Sequence, residues 1–321
     1  MDKIPQLRVL ATSFCGRHCM YCRPTGEGIG NSNHKYNNIE HINKIVTIYK
    51  KYGGQEVKLT GGDPVFWNDI IECVKQLKNK VGITKVEIIT RSPEILNKID
   101  GLIAAGLDVL DFSVDTLDSE KYSKIVGGDD FSSYIDAIRH CASIIDCKVN
   151  SVIMKNITDN EVKSLISFCE SSGIKQLKFL DVIDDLESSN TQIRDLYSSL
   201  SFIAEEMEKI SIKEDVVCQG GLGHPMNLYI LPSGLTVLLK NAENGAWYNS
   251  RCKDCSYYMC HDALMALRFS TDNTLQFCLN GKYRVDLNGL TDDKIEIEFN
   301  KAMHFFDDAY FISNGPKGKS R

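Results

Sequence analysis

The sequence contains no apolar run approaching the roughly 18–20 residues that a spanning helix needs, so no membrane partner is expected. It also lacks an excess of positive charge: 37 Lys and Arg stand against 43 Asp and Glu, a formal net charge of −6. Bulk electrostatics therefore give no reason to expect binding to nucleic acid or to an anionic surface. The opening stretch, MDKIPQLRVLATS, runs straight into a strand-like segment and lacks the pattern of a secretory signal, which makes a cytoplasmic protein the expectation. There is no low-complexity segment. With 43% hydrophobic and 25% charged residues, the composition excludes disorder for most of the chain. At 321 residues, one large barrel or a large domain plus a small one is the natural reading.

Cysteine, by contrast, is plentiful, with 12 residues. In a reducing compartment these are not expected to form a disulfide framework. Cys15, Cys19 and Cys22 crowd together near the start, and Cys252, Cys255, Cys260 and Cys278 near the end. Cys73, Cys141 and Cys169 fall on apolar helical faces and read as packing residues, with Cys147 similar. The two thiol groups read as two metal or iron–sulfur sites.

The first two-thirds of the chain alternates. β-Branched runs occur at Leu7–Thr12, Glu56–Thr60, Lys85–Thr90, Val109–Val114, Lys148–Met154 and Gln176–Val182. Helical periodicity occupies 67–79, 94–105 and 161–169, and a last helix is expected over about 191–210. Six strand–helix units predict an α/β fold, a partial (β/α)6 TIM-type barrel with ligand sites at the C-terminal strand ends. Cys15, Gly61-Gly62-Asp63-Pro64, Arg91 and Asp115 then fall on one rim. After about residue 214 the alternation stops. Asn227–Leu239 reads as a hairpin turning at Pro232-Ser233-Gly234, and a short strand pair is expected around Ala266–Phe277. The expected division is residues 1–214 for the barrel and 215–321 for a smaller cysteine-rich extension.

Cys15-Gly-Arg-His-Cys19-Met-Tyr-Cys22 is a C-x3-C-x2-C pattern on the loop leaving the first strand. Three thiolates on a short loop can hold three irons of a 4Fe–4S cube and leave the fourth open to a small molecule. Zinc is the alternative and would want a fourth ligand, for which His18 or His34 is available.

This motif, placed after the first strand of a β/α chain, resembles that of the radical S-adenosylmethionine enzymes. The resemblance implies that the open iron chelates S-adenosylmethionine, which is cleaved reductively to a hydrogen-abstracting 5′-deoxyadenosyl radical. It implies a reducing partner such as flavodoxin or ferredoxin. Tyr21 stands where the family places an aromatic residue. Gly61, Gly62 and Asp63 resemble the family's Gly-Gly-Glu-Pro loop, with Asp63 one methylene short. Ser113 matches a fourth-strand serine that contacts the cofactor, and Lys148 a fifth-strand lysine that reaches its carboxylate.

The runs LTGGDP, AAGLDVLDFSVDTLD, KVNSVIMKNITDNE and LRFSTDNTLQFCLNG are similar to segments of the molybdenum-cofactor GTP 3′,8-cyclase group. That resemblance covers nearly the whole chain and implies a second, auxiliary 4Fe–4S cluster held by the C-terminal cysteines. The group's C-x2-C-x13-C pattern is altered here: Cys252 and Cys255 are followed by Cys260, and 22 residues separate Cys255 from Cys278. Either all four cysteines ligate and close the cluster, or one of the first three is free. Phe14, Glu56 and Ala266 stand where the group has basic residues, leaving Arg268 as the candidate for a substrate anion. A small nucleotide, nucleoside or related metabolite is thus the expected substrate, with GTP disfavoured and the reaction class open between lyase, oxidoreductase and isomerase. The alternatives are a peptide-modifying maturase, a true GTP 3′,8-cyclase, and a non-enzymatic iron–sulfur or zinc protein.

Overall fold

The computed structural model describes residues 3–22, 35–182, 193, 195–218, 221–256, 258–260, 263–278 and 283–313. Six strands fall where the β-branched runs predict them: β1 (Gln6–Thr12), β2 (Glu56–Gly61), β3 (Lys85–Thr90), β4 (Val109–Ser113), β5 (Asp146–Ile153) and β6 (Gln176–Asp181). Helices α1 (Ile39–Lys51), α2 (Ile70–Gln76), α3 (Ile99–Ala105), α4 (Ser119–Val126), α5 (Phe131–Ala142) and α6 (Val162–Ser171) connect them. Local chemistry sets several boundaries. The Asn38 side chain accepts from the Glu40 and His41 amides and starts α1. Asp118 does the same for α4, which stops at Gly127 in the left-handed region, at φ 72°.

Two of the expected helices are interrupted. The 67–79 segment is α2 followed by a wider turn over Leu77–Val81. The 94–105 segment is a 3-10 turn, Pro93–Asn97, capped by Ser92, and then α3. The expected 191–210 helix is broken: Ile193 and Asp195 are helical, residues 197–200 are not, and α7 (Ser201–Ile210) follows. Residues 183–192 lie outside the described residues.

After α7 the chain forms β7 (Lys213–Val217), β8 (Met226–Ile230), β9 (Thr236–Lys240), β10 (Ala246–Tyr248), β11 (Ala266–Phe269), β12 (Thr274–Gln276), β13 (Arg284–Asp286), α8 (Asp292–His304) and β14 (Tyr310–Ile312). The expected hairpin is β8–β9, with Gly234 at φ 87° in its turn, and the expected strand pair is β11–β12. These strands join the barrel sheet itself. The order is β13-β12-β11-β1-β2-β3-β4-β5-β6-β9-β8-β7. β11 runs parallel to β1, and β9 parallel to β6. The partial (β/α)6 barrel is therefore flanked on both sides by a parallel strand from the C-terminal third. β7 spans residue 214 and belongs to the same sheet.

Strand alternation explains the two faces. Leu7, Val9, Val57, Leu59, Val86, Ile88, Leu110, Phe112, Val149, Leu177 and Phe179 enter one apolar core shared with the helices. Cys73, Cys141, Cys147 and Cys169 are buried in it, in keeping with packing roles. The intervening residues, among them Arg8, Lys58, Asp111, Asn150 and Lys178, face the barrel interior and are polar. A parallel sheet buried on both sides ordinarily carries apolar residues on both faces, so this polar face marks a ligand site. Among the described residues no helix is long and apolar enough to cross a membrane.

Candidate active site

The site is a cavity of about 350 Å³ inside the barrel, opening at the C-terminal strand ends. Its upper wall is the cysteine loop. The last turn of α4 leaves backbone carbonyls without intrahelical partners, and the loop supplies the donors. The His18 amide donates to the Val126 carbonyl at 3.1 Å, and the Met20 amide to the Ile125 carbonyl at 2.9 Å. Arg17 forms an ion pair with Asp130, which also accepts from the Tyr122 hydroxyl at 3.1 Å. Cys15, Cys19 and Cys22 all line the cavity.

The glycine loop packs directly beneath. Gly62 donates to the Thr12 carbonyl and the Asp63 amide to the Phe14 carbonyl, both at 2.7 Å. A Cβ on Gly62 would lie 2.0 Å from the Phe14 carbonyl oxygen, and one on Gly61 (φ 123°) 2.3 Å from that of Thr12. These glycines are thus required for two loops to touch. Asp63 is buried, at 2% exposure. Its carboxylate accepts from the Thr90 hydroxyl at 2.8 Å and the Arg91 amide at 2.8 Å, and caps the turn at Val65. It therefore fastens the loop to β3 as well as facing the cavity. Burial pushes its pKa up to about 6, against those same hydrogen bonds.

Tyr21 donates its hydroxyl to Asp115 at 2.8 Å, and Arg91 both pairs with Asp115 at 2.8 Å and donates to the Tyr21 oxygen at 2.5 Å. Ser113 lines the wall between them and the floor. The expected rim residues Cys15, Gly61, Arg91 and Asp115 are brought together.

Lys148 is not. It sits two residues below Asn150 on β5, a step of roughly 6.6 Å toward the closed end of the barrel. Its ammonium meets Glu87 at 2.6 Å, and it does not line the cavity. Lys58 reaches the same Glu87 at 2.6 Å and Lys85 at 2.9 Å. Burial opposes the Glu87 carboxylate, but Lys58 and Lys148 overcome this and hold it well below the usual carboxylate range.

The floor corrects the reading that only Arg268 remains for an anion. In register, Arg268 on β11 neighbours Arg8 on β1, which neighbours Lys58 on β2. Lys178 on β6 and Lys240 on β9 complete a group of five cations lining the cavity. Glu56 offers no repulsion: it is exposed at the start of β2 and paired with Lys85 at 3.2 Å. Arg8, Lys58, Lys178 and Lys240 were missed in the sequence. The signal available was a cation at an inward position of an otherwise β-branched strand.

The C-terminal cysteines lie outside the cavity wall. Cys252 lies in a turn capped by Asn249, whose side chain also donates to the Phe305 carbonyl at 2.8 Å. Cys252 and Cys260 pack against Ala246, Tyr248 and Ala263. The Cys260 carbonyl accepts from the Tyr248 hydroxyl at 2.8 Å, and the Cys278 carbonyl from Gln276 at 2.7 Å. His34 and His261 lie outside the described residues. His224 is buried and bonded to the Gly245 carbonyl at 2.9 Å.

The donor set fits an iron–sulfur cluster. The Cys15 thiol is pushed up to about 12, first by burial, then by Asp63 and the neighbouring thiols. Burial likewise raises Cys19. Three soft donors face one space, which at Cys15 and Cys19 penalises thiolate charge, and bound iron would supply the compensating positive charge.

Comparison with known proteins agrees with this chemistry. A family model described as the radical SAM superfamily matches residues 9–169. A probable GTP 3′,8-cyclase of Pyrococcus abyssi is 29% identical over 278 residues, which is 86% of this chain and 85% of that one. In fold, the chain is similar to Streptococcus suis SuiB bound to S-adenosylmethionine, with a TM-score of 0.66 and 12% identity over 95% of this chain and 68% of that chain. It is also similar to native anSMEcpe with bound AdoMet, with a TM-score of 0.59 and 16% identity over 94% and 82%.

Proposed function

Because the chain belongs to the radical S-adenosylmethionine superfamily, we propose that it is an enzyme abstracting hydrogen from a small anionic metabolite, a nucleotide above all. The superfamily's 4Fe–4S cluster and S-adenosylmethionine supply the hydrogen-abstracting radical when bound. Cys15, Cys19 and Cys22 would hold that cluster at the rim. Tyr21, Gly61, Gly62, Asp63 and Ser113 would shape the wall against S-adenosylmethionine, with Arg91 and Asp115 fixing the Tyr21 ring. Lys148 would act through Glu87 rather than on the cofactor.

The observation that carries the substrate reading is the cation group Arg8, Lys58, Lys178, Lys240 and Arg268 on the floor. Cations in a partly desolvated cavity favour an anion strongly over a neutral ligand. This weakens the electrostatic objection to a nucleoside triphosphate, and the relatives' GTP 3′,8-cyclase name makes GTP one of the substrates to test. Cys252, Cys255, Cys260 and Cys278 would hold the auxiliary cluster. Their position off the cavity wall favours electron transfer or a structural role over contact with substrate. The division at residue 214 is then one of chemistry, laid over a shared sheet. A low-potential donor, flavodoxin or ferredoxin, would supply the electron.

Anaerobic reconstitution should give about eight irons per chain, and about four after Cys15, Cys19 and Cys22 are changed together to Ala. The same triple change should abolish formation of 5′-deoxyadenosine. Deuterium transfer into 5′-deoxyadenosine, measured with GTP, nucleoside monophosphates and uncharged nucleosides, tests the substrate class. Turnover of uncharged nucleosides in preference to their phosphates would overturn the anionic reading.

A further inference from the structure

We propose that Lys178 takes up a proton as an anionic group settles on the cavity floor, so that substrate binding is coupled to protonation. The inference rests on the anionic-substrate reading above and adds a pH dependence to it.

Lys178 faces the cavity from the middle of β6, half-buried because its head opens on that space. Its register neighbours, Asn150 on β5 and Leu238 on β9, carry no charge. Among the described residues its ammonium makes no hydrogen bond or ion pair. Lys58 on the floor and Lys148 beneath it differ. Lys58 and Lys148 share Glu87. Asp111 on β4 is the acid nearest in effect, but it already accepts from the Asn150 amide at 2.7 Å and meets Lys58 at 3.5 Å. Asp181, at the end of β6, accepts from the Ala242 amide at 2.9 Å. Arg8, Lys58 and Lys148 add repulsion, and Lys240 and Arg268 line the same space. Burial first, then Lys58, pull the Lys178 ammonium down to about 7, with Asp111 only partly opposing.

An entering anion supplies the missing counter-charge and raises that value. Below pH 7 the ammonium is already present, and binding is at full strength without proton uptake. Above pH 7 one proton must come from solvent, and affinity falls by about tenfold per pH unit until the pKa of the bound state is reached.

The test uses the anaerobically reconstituted protein without reductant, with GTP and GDP as probes, whose phosphates are fully ionised at pH 8. Calorimetry at pH 8 in two buffers of different ionisation heat should show close to one proton taken up per probe bound. Lys178→Arg, which stays charged, should bind with little uptake and with affinity nearly independent of pH between 7 and 9. Binding to the wild type without uptake, or equal uptake by Lys178→Arg, overturns the proposal. In the ligand-free protein, NMR of 13C-labelled lysine should show one resonance titrating near 7 that disappears in Lys178→Arg. If every lysine titrates near 10, the proposal fails whatever binds. If Lys178 titrates near 7 and neither probe binds, the anionic-substrate reading fails, and the coupling falls with it.

Discussion

The rim and the floor of the cavity differ in the balance of their charges: the rim pairs acids with bases, and the floor gathers cations from several strands. At the rim, Arg91 is held by Asp115 and Tyr21, Asp63 by Thr90 and the Arg91 amide, and Arg17 by Asp130. On the floor, five cations from five strands face one cavity, with Lys58 held by Glu87 and Asp111. A paired network fixes geometry at the moment chemistry needs it, and costs no reorganisation. A cation-rich floor is poised for a charge brought from outside. The rim is thus suited to a resident cofactor, and the floor to a ligand that comes and goes.

This contrast predicts which substitutions damage cofactor chemistry and which damage substrate binding alone. The largest effect should come from Gly62→Ala. Its Cβ meets the Phe14 carbonyl oxygen at 2.0 Å, a backbone atom that cannot yield cheaply. We expect a loss of about 2–3 kcal/mol of stability from overpacking. Reductive cleavage of S-adenosylmethionine should fall at least about a hundredfold, because the displaced segment leads directly into Cys15. Denaturant midpoints and 5′-deoxyadenosine yield are the readouts. Unchanged cleavage would break the link between the glycine loop and the cysteine loop.

Arg268→Ala should act on the floor alone. One charge-assisted hydrogen bond is worth about 1.5–3 kcal/mol, so KM for an anionic substrate should rise about 10- to 100-fold. KM for S-adenosylmethionine should stay within about twofold. Equal losses on both would show that rim and floor are a single site. The smallest effect belongs outside the cavity. Lys51 on α1 pairs with Glu296 on α8 at 2.8 Å with both side chains about half exposed. Lys51→Ala should cost under about 1 kcal/mol of stability and leave both KM values unchanged.

Much of the rim is legible in the sequence, and most of the floor is not. Cys15, Cys19 and Cys22 announce themselves by spacing, and Gly61-Gly62-Asp63-Pro64 by its position after a strand. Those are local signals. The roles of the glycines and of Asp63 needed the fold, because Thr12, Phe14 and Thr90 become their neighbours only when β1, β2 and β3 align. Lys148 shows the limit on the other side. Its motif match says nothing of depth in the barrel, and Glu87, the acid that engages it, lies 61 positions away in the chain.

The sequence by itself determined the six strands, the helical stripes at 67–79, 94–105 and 161–169 and the two cysteine groups, because period-two and helical patterns are written within a dozen residues. Only the tertiary structure decided that β9 and β11, from the final third of the chain, lie parallel beside β6 and β1. That pairing places Lys240 and Arg268 beside Arg8, Lys58 and Lys178. Strand neighbours and register are set by long-range hydrogen bonding and by burial of a shared core. A charge in a strand therefore acquires its meaning from residues that no local pattern can name.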